Sequence, residues 1–524
     1  MKRRIFVGSL AAAVGTTALV PARLRAQTPG PLPDPATPVP EPVIAPTPFG
    51  FDDVVTRAVE LAQRDHERLT SSLTAPFDDL GYDAYRGIRF RRDADPWGPV
   101  PGWGLDLLPP GMLYEEPVRV NVIHNGVAQP VPFDPGVFNY DENAFPPDAP
   151  QMPPGDMGWS GFRLRTALNA PDVLDELAVF QGASYFRVLG RGSHYGISAR
   201  GLALGTGSTA GEEFPVFREF WIETPNLDAG SVTIHALLDS PSVAGAFQFV
   251  ITPGQNTRVR SRAALIPRRE LTDVGIAPLT SMFWFGPGDD SGQDDYRPAV
   301  HDSDGVQMIT GGGARLWRAL SNPPSLQLSA FLDNDPQGFG LMQRARRFED
   351  FQDAGAGYHL RPSAWISPHT NWGAGSVTLV EIPVQNEFHD NIVSFWKPAD
   401  PLAVGTRTDF GYDLSFGSNP GDIGPFAKVR QTRSGVSINT QGARTFLVDF
   451  EDHLFRGRPA PEAVVRASAG RIEHPYALHV PEQGIVRLAF EFHPDGADLS
   501  DFSARLEGAE GALSETWMFR WVRD

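Results

Sequence analysis

The sequence contains no cysteine among its 524 residues. This excludes disulfide scaffolds, thiolate zinc sites, cysteine-ligated iron–sulfur clusters and cysteine nucleophiles. Positive charge is also scarce, because 63 acidic residues outnumber 45 lysines and arginines and give a formal net charge of −18. Nucleic-acid binding requires a basic surface, so this balance argues against a nucleic-acid partner.

Several familiar enzyme motifs are missing as well. The sequence has no H-E-x-x-H motif and no G-x-S-x-G motif, and Gly205-Thr206-Gly207 lacks the third glycine of a dinucleotide-binding loop. An oxidoreductase with a bound cofactor therefore has little support. We expect no metal and no organic cofactor.

Turn formers and aromatic residues are abundant instead. The chain has 53 glycines, 49 prolines, 34 phenylalanines and 11 tryptophans. Short alternating strands between frequent turns favour a mostly β protein. The length corresponds to two to four domains of ordinary size.

The N-terminus has the pattern of an export signal. Lys2, Arg3 and Arg4 precede an apolar run over residues 5–20, and Ala26 is a small residue suited to cleavage. The twin arginines predict a twin-arginine signal over residues 1–26, with an ordinary secretory signal as the alternative. We expect a soluble periplasmic protein, with residues 27–48 as a proline-rich linker.

Alternating apolar and polar residues divide the rest of the chain. A helix is predicted over residues 54–63, capped by Asp52 or Asp53. The pattern then predicts a large β-sandwich over 49–398, a turn-rich break at 398–402, and a smaller immunoglobulin-like sandwich over 405–524. The predicted strands lie near residues 118–122, 326–330, 376–382, 446–450, 486–492 and 517–521.

Aromatic residues are interleaved with charged residues in three stretches, as a sugar-binding site requires. Aromatic faces stack on pyranose rings, while carboxylates and guanidinium groups bind the hydroxyls. The alternative is that these aromatic residues belong to the core of a sandwich. The residues chosen as a substrate cleft are Tyr185, Arg187, Trp221 and Trp284.

Three aspartates are candidates for acid–base chemistry. Asp302 and Asp304 lie in an Asp-x-Asp-Gly sequence, for which a simple turn is the alternative. A calcium loop is disfavoured, because its twelfth position would be Gly313 rather than a glutamate. Asp390 precedes Asn391 and an apolar run, and a partly buried carboxyl there would suit a general acid. A strand-end turn is equally compatible with this pattern.

Many motifs resemble the periplasmic glucan biosynthesis proteins G and D, which act on osmoregulated periplasmic glucans. Examples are F-Q-G-A-S-Y-F-R at 180–187 and L-R-P-S-A-W at 360–365. The twin arginines resemble the D branch more than the G branch. The matching segments are 49–58, 82–90, 117–121, 175–187, 211–223, 301–305, 336–340, 360–365 and 390–393.

The resemblance implies a galactose-mutarotase-like sandwich, an immunoglobulin-like domain and a β-1,2-glucan substrate. It also implies an inverting glycoside hydrolase or a transglycosylase, with a non-catalytic glucan-binding protein that organises branching as the alternative. Asp390 matches the family's general acid, Asp302 its base with Asp304 as the neighbouring alternative, and Asn391 joins the substrate-binding set. Hydrolysis versus transfer, the glucan length and a homodimer stay open.

Overall fold

The computed structural model describes residues 48–70, 73–145, 157–289 and 292–523. The predicted signal over 1–26 and the predicted linker, except Pro48, lie outside these ranges. None of the described helices is long and apolar enough to cross a membrane.

Strands dominate the described residues, and only two α-helices accompany them. The helices are α1 (Phe51–Ala62) and α2 (Tyr82–Arg86). The first strands are β1 (Ile88–Phe90), β2 (Trp103–Leu108), β3 (Arg119–His124), β4 (Val127–Pro130), β5 (Phe138–Tyr140), β6 (Gly161–Thr166), β7 (Asp175–Gln181), β8 (Tyr185–Val188), β9 (Ser198–Arg200), β10 (Leu202–Leu204) and β11 (Val216–Glu223). The next are β12 (Val232–Asp239), β13 (Val243–Thr252), β14 (Asn256–Pro267), β15 (Val274–Ser281), β16 (Phe283–Phe285), β17 (Val300–His301), β18 (Gly305–Ile309), β19 (Arg315–Ala319), β20 (Gln327–Asn334), β21 (Gly338–Met342) and β22 (Ser363–Pro368). The last are β23 (Ala374–Glu381), β24 (Ile392–Pro398), β25 (Thr408–Gly417), β26 (Val429–Val436), β27 (Arg444–Glu451), β28 (Glu462–Ala467), β29 (Arg471–Val480), β30 (Ile485–His493), β31 (Leu499–Gly508), β32 (Gly511–Ala512) and β33 (Thr516–Val522).

Two large sheets pack face to face and form the first sandwich. One sheet has the order β2-β6-β7-β8-β9-β15-β24-β23-β20, and the other contains β18-β21-β22-β25-β14-β13-β12-β11-β3-β4. Phenylalanines of the two sheets meet between them, with ring centroids 5.0 Å apart for Phe162 and Phe220 and 5.1 Å apart for Phe186 and Phe249. This aromatic core leaves the alternate residues of β8 and β9 on the outer face of the first sheet.

Helix α1 covers the outer face of the second sheet. Its N-terminus is closed by Asp53, whose carboxylate accepts a hydrogen bond from the backbone N–H of Gly50 at 2.7 Å. Val54 and Ala58 are buried against β12, β13 and β14. The predicted helix is therefore confirmed, although it begins three residues earlier than expected.

Trp221 lies in the core beneath this helix, which corrects its assignment to a substrate cleft. Its side chain is 1% exposed and stacks on Phe49, with ring centroids 5.1 Å apart. The Arg57 guanidinium lies 4.9 Å from the Trp221 ring centroid and 5.7 Å from the Phe49 ring centroid, so it contacts both rings. Because the neighbouring residues of β11 alternate in direction, Phe220 fills the sandwich core while Trp221 faces α1.

A second, smaller sandwich contains the end of the chain. Its four-stranded sheet has the order β26-β27-β30-β29 and packs on β28, β31 and β33 through Phe446, Phe490 and Trp517. The second sheet is continuous between the two sandwiches, because β33 pairs in parallel with β19. Strand β25 pairs with β14 and β22 of the large sandwich. The boundary predicted before residue 405 is therefore one strand too early.

The predicted all-β class is confirmed, and each strand predicted from alternation overlaps an observed strand. Neighbouring strands are antiparallel except for two parallel pairs among the described residues, β3 with β11 and β19 with β33. The more specific galactose-mutarotase-like and immunoglobulin-like descriptions stay expectations from the resemblance.

The burial of Trp221 leads to a prediction about stability. Replacing it with alanine (Trp221→Ala) removes a large core side chain and leaves a cavity under α1, so the free energy of unfolding should fall by about 3–5 kcal/mol. Urea denaturation measures the change. Leu332→Ala, at a side chain that is 86% exposed, is the control and should change stability by less than about 0.5 kcal/mol. Equal urea midpoints for Trp221→Ala and Leu332→Ala would contradict the burial of Trp221 under α1.

Candidate active site

The segments that carry Asp302 and Asp390 are far apart in the sequence, but both bind backbone carbonyl groups at the end of β15. The backbone N–H of Asn391 donates to the carbonyl oxygen of Ser281 at 3.0 Å. The backbone N–H of Asp302 donates to the carbonyl oxygen of the next residue, Met282, at 2.8 Å. Asp302 and Asp390 therefore lie on either side of one short stretch of backbone, although the sequence separates them widely.

The side chain of Asn391 strengthens this anchor. Its carbonyl oxygen accepts from the backbone N–H of Phe283 at 2.8 Å, and its amide donates to the carbonyl oxygens of Phe283 at 2.9 Å and Ile382 at 3.0 Å. The side chain is fully buried. Its polar atoms are therefore committed to the backbone, which corrects its assignment to substrate binding: Asn391 positions the segment that carries Asp390.

The turn that carries Asp302 is tied to the same stretch from its other side. The hydroxyl groups of Ser281 and Ser303 lie 2.7 Å apart. Phe283 pairs with His301 between β16 and β17, and their rings stack with centroids 5.3 Å apart. Burial lowers the pKa of His301 to about 4, so this imidazole is neutral at neutral pH.

Asp302 is a buried carboxyl with a guanidinium partner. It is 4% exposed and forms an ion pair with Arg361. Burial raises its pKa to about 6, against the lowering effect of the Arg361 charge, and the negative charge of Asp390 raises it further. Arg361 is held in turn against Tyr358, 4.2 Å from the ring centroid. The pair provides a carboxylate that exchanges a proton near neutral pH.

Asp304 faces a different part of the structure. Its carboxylate accepts hydrogen bonds from the backbone N–H groups of Arg344 and Ala345, each at 3.1 Å. Burial raises its pKa to about 6 as well, with Arg344 opposing the shift. It lines a cavity of about 340 Å³ that also contacts the start of β26. Asp304 thus fixes the backbone that follows β21, while Asp302 faces Arg361.

Asp390 is exposed, and its surroundings differ from those expected of it. Phe388, two residues before it, is 83% exposed, while Ile392 and Val393 of β24 are buried in the core. The expectation of a partly buried carboxyl at Asp390 is therefore wrong for the free protein. The charge of Asp390 nevertheless acts on Asp302 and on Tyr185, raising the pKa of both groups.

Tyr185 and Arg187 lie beside these carboxylates, on the outer face of β8. Burial raises the pKa of Tyr185 to about 12, and the ring contacts the Arg200 guanidinium at 4.6 Å from its centroid. The Arg187 Nε donates to Ser198 at 2.8 Å, and its charge lowers the pKa of Asp302. The structure therefore brings together Tyr185, Arg187, Asp302 and Asp390.

Trp284 lies on the β16 side of the site. It is half-buried, packs edge-on against Phe285 at 5.1 Å and lies 6.0 Å from Arg297. Its indole N–H has no hydrogen-bond partner among the described residues. A partly exposed aromatic ring in this place can contact a sugar.

Sequence reasoning missed two arginines that organise the site. Arg361 lies inside the L-R-P-S-A-W motif, but the motif carried no role for it. Arg200 is buried and pairs with Glu212 at 2.6 Å. The nearby acids Glu213 and Glu219 pair elsewhere, with Arg269 and Arg57, so these glutamates do not form one cluster. For Arg200, an arginine beside small residues in a strand was the available signal; Arg361 lies between a short helix and β22, where no local pattern marks it.

One group of described side chains has the spacing of metal ligands, and it lies away from this site. It comprises Glu473, Glu491 and His493 on β29 and β30. The Glu491 carboxylate already accepts from Ser437 and Thr440, and Glu473 pairs with His493 at 3.0 Å. We assign no metal to it.

A buried carboxyl and an exposed carboxyl, with tyrosine and arginine side chains beside them, form an arrangement that could exchange protons with a bound molecule. The sequence model described as "Periplasmic glucan biosynthesis protein, MdoG" matches residues 49–521. The chain is 45% identical over 478 residues to glucans biosynthesis protein G of Vibrio cholerae serotype O1, covering 90% of this chain and 87% of the relative. It is 43% identical over 478 residues to glucans biosynthesis protein G of Shewanella frigidimarina, covering 90% and 85%.

The chain therefore belongs to the MdoG family of periplasmic glucan biosynthesis proteins. The predicted family is confirmed, and membership implies a periplasmic protein involved in glucan synthesis. The preference for the D branch is wrong, because these relatives carry the name of protein G. The twin arginines that suggested the D branch lie outside the matched residues.

The anchoring role of Asn391 predicts a loss of stability on mutation. Asn391→Asp keeps the shape of the side chain but cannot donate to the carbonyl oxygens of Phe283 and Ile382. We therefore expect the free energy of unfolding to fall by about 1–3 kcal/mol. Thermal and urea unfolding measure the effect. Asn139→Asp, at an exposed position of β5, is the matched control and should be close to neutral. A neutral Asn391→Asp variant would contradict the anchor.

Proposed function

We propose that this protein acts on the β-1,2-linked glucan backbone as an inverting glycoside hydrolase or a transglycosylase, with Asp390 as general acid and Asp302 as general base. The observation that carries the proposal is the electrostatic coupling of a buried carboxyl, whose pKa is about 6, with a second, exposed carboxyl anchored on the same backbone stretch. Asp304 is the less suited base, because backbone N–H groups occupy its oxygens.

The proposed hydrolysis has a simple proton balance. Asp390 donates its proton to the glycosidic oxygen as the bond from that oxygen to the anomeric carbon breaks. Asp302 accepts a proton from the water whose oxygen attacks the anomeric carbon from the opposite face. In transfer, a sugar hydroxyl takes the place of water. Both routes use the same two carboxyl groups.

The surroundings of each carboxyl suit its role. Arg361 favours the ionised form of Asp302, which a base requires. Asp390 is exposed in the free protein, and a glucan chain lying over it would exclude water and favour the protonated form needed for donation. The acid would thus become competent when substrate covers it.

We propose Tyr185, Arg187 and Trp284 as glucan-binding residues. Tyr185 and Arg187 of β8 interact electrostatically with Asp390 and Asp302, and Trp284 of β16 adds a partly exposed aromatic surface. A neutral glucan is compatible with the acidic composition of the chain. We also propose export by the twin-arginine route, which the opening residues suggest.

Carboxamide variants test the proposed chemistry. Asp302→Asn and Asp390→Asn should each lower kcat on linear β-1,2-glucan by about 10²–10⁴-fold, because an amide can neither accept nor donate the required proton. Glucan binding, measured by calorimetry, should change little. Asp400→Asn, at an exposed position after β24, is the matched control and should retain wild-type turnover.

Other results would change the identity of the base or the proposed activity. Activity in Asp302→Asn together with its loss in Asp304→Asn would move the base two residues along the turn. A wild-type protein that binds the glucan but releases and transfers no sugar would favour the non-catalytic role in organising branching. A wild-type protein that does not bind β-1,2-glucan would overturn both.

The pKa of Asp302 predicts the acidic side of the pH profile. A base must be ionised, so kcat/KM should fall about tenfold per pH unit below about pH 6. Arg361 lowers this pKa, so Arg361→Gln should move the acidic limb to higher pH, whereas Arg361→Lys, which keeps the charge, should move it less. If the acidic limb of the kcat/KM profile were the same in Arg361→Gln as in the wild type, Asp302 would not be the titrating base.

A further inference from the structure

Arg297 connects three carboxylates that belong to three different stretches of the chain. Its Nε and Nη2 atoms bind the two oxygens of Asp295 at 3.0 and 2.8 Å. Its Nη1 atom lies 3.0 Å from an oxygen of Asp353 and 2.6 Å from an oxygen of Glu387. The three acidic partners raise the pKa of the guanidinium, which stays charged.

The Asp353 contact leads to the partner of Asp302. One carboxylate oxygen of Asp353 accepts from the backbone N–H groups of Gly355 and Ala356, at 2.9 and 2.8 Å, and shapes a tight turn. The short helix Tyr358–Leu360 follows directly, and Arg361 comes next. Arg297 therefore holds the stretch that presents Arg361 to Asp302.

The Glu387 contact leads to Asp390. Glu387 lies three residues before Asp390, on the exposed stretch between β23 and β24. Asn391 fixes the end of this stretch next to β24, as described above, whereas the Arg297 ion pair fixes Glu387 on the other side of Asp390. The phenol of Tyr358 is affected by the charges of Arg361, Glu387, Asp302 and Arg297, so these groups share one electrostatic environment.

The three carboxylates around Arg297 depend on its positive charge to stay close together. Arg297 is 11% exposed, and its partners Asp295, Asp353 and Glu387 are 13%, 11% and 23% exposed. Three largely shielded carboxylates around one guanidinium leave an excess of negative charge. Without the guanidinium they would repel one another, and Glu387, on the exposed stretch, has the most freedom to move away.

We propose that Arg297 is a positioning residue that sets Asp390 relative to Arg361 and Asp302. The inference rests on the proposed function, because it concerns delivery of a proton by Asp390. Arg297 touches neither of the two proposed catalytic carboxylates. It acts by holding together the two stretches that carry the acid and the partner of the base.

A comparison of leaving groups separates this role from a general loss of structure. A nitrophenyl β-1,2-gluco-oligosaccharide has a leaving group that departs without protonation, whereas the natural glucan requires the acid. A displaced Asp390 therefore impairs the glucan reaction selectively. A lower fraction of folded protein would impair both reactions equally.

We expect Arg297→Gln to lower kcat on β-1,2-glucan by about 10²-fold, because small displacements of catalytic groups have effects of this size. On the nitrophenyl substrate, the same variant should lower kcat by about tenfold or less. Asp390→Asn provides the reference for complete loss of acid catalysis. Arg297→Lys keeps the charge but lacks the planar fork, so its loss should be intermediate. Arg297→Gln combined with Glu387→Gln relieves part of the repulsion, so the losses should not be additive.

Arg487→Gln controls for the loss of a partly buried arginine. It breaks a paired contact with Asp449, at 2.7 and 2.9 Å, between β30 and β27 of the second sandwich. We expect this variant to lower the melting temperature but to keep the wild-type kcat for both substrates at temperatures where it is folded.

The outcomes distinguish this inference from the proposed function. An active wild type with an Arg297→Gln variant within threefold of its kcat, or equally impaired on both substrates, would overturn the positioning role alone. A wild type inactive on both substrates would overturn the proposed function and, with it, this inference. A selective loss on the natural glucan supports both.

Discussion

The candidate site depends on the buried carboxamide of Asn391. This one side chain forms three hydrogen bonds to the backbone of Phe283 and Ile382, and its own backbone N–H binds Ser281. A buried amide left unpaired would cost more than the hydrogen bonds contribute, so the arrangement tolerates little variation. The end of β15 therefore fixes where β24 begins, and the residue before β24 is Asp390. Asp302 is anchored on the very next residue of the same stretch.

The turn between β17 and β18 serves two regions at once. Asp302 faces Arg361, and two residues later Asp304 binds the backbone at Arg344 and Ala345. Burial raises the pKa of both carboxyl groups to about 6, yet their partners differ. A guanidinium leaves a carboxylate free to exchange a proton, whereas several backbone N–H groups hold it in a structural role. The two aspartates are chemically identical, and only their neighbours distinguish them.

The second sandwich is joined to the first by more than a linker. Strand β33 extends the large sheet through its parallel pairing with β19. Arg344, beside Asp304, reaches Glu515 at 3.1 Å just before β33. Arg318 of β19 forms a buried pair with Glu381 of β23 at 2.7 Å and so links the two large sheets. The backbone around the candidate site is thus braced by contacts that cross between the sandwiches.

The sequence alone determined the all-β class, the positions of six strands and the family, because alternation of apolar residues and local motifs are properties of neighbouring residues. It also singled out Asp302, Asp390, Tyr185 and Arg187 as candidate site residues, and the tertiary structure brings these four together. It misassigned Trp221 and Asn391, because a tryptophan in a core and one in a cleft have the same local pattern, as do a buried and a ligand-binding asparagine. It overlooked Arg361 and Arg297, whose roles depend on acids far away in the chain. Which face of a strand is covered, and which acid meets which arginine, is decided only when β15, β17 and β24 come together, since these contacts join residues that no local spacing relates.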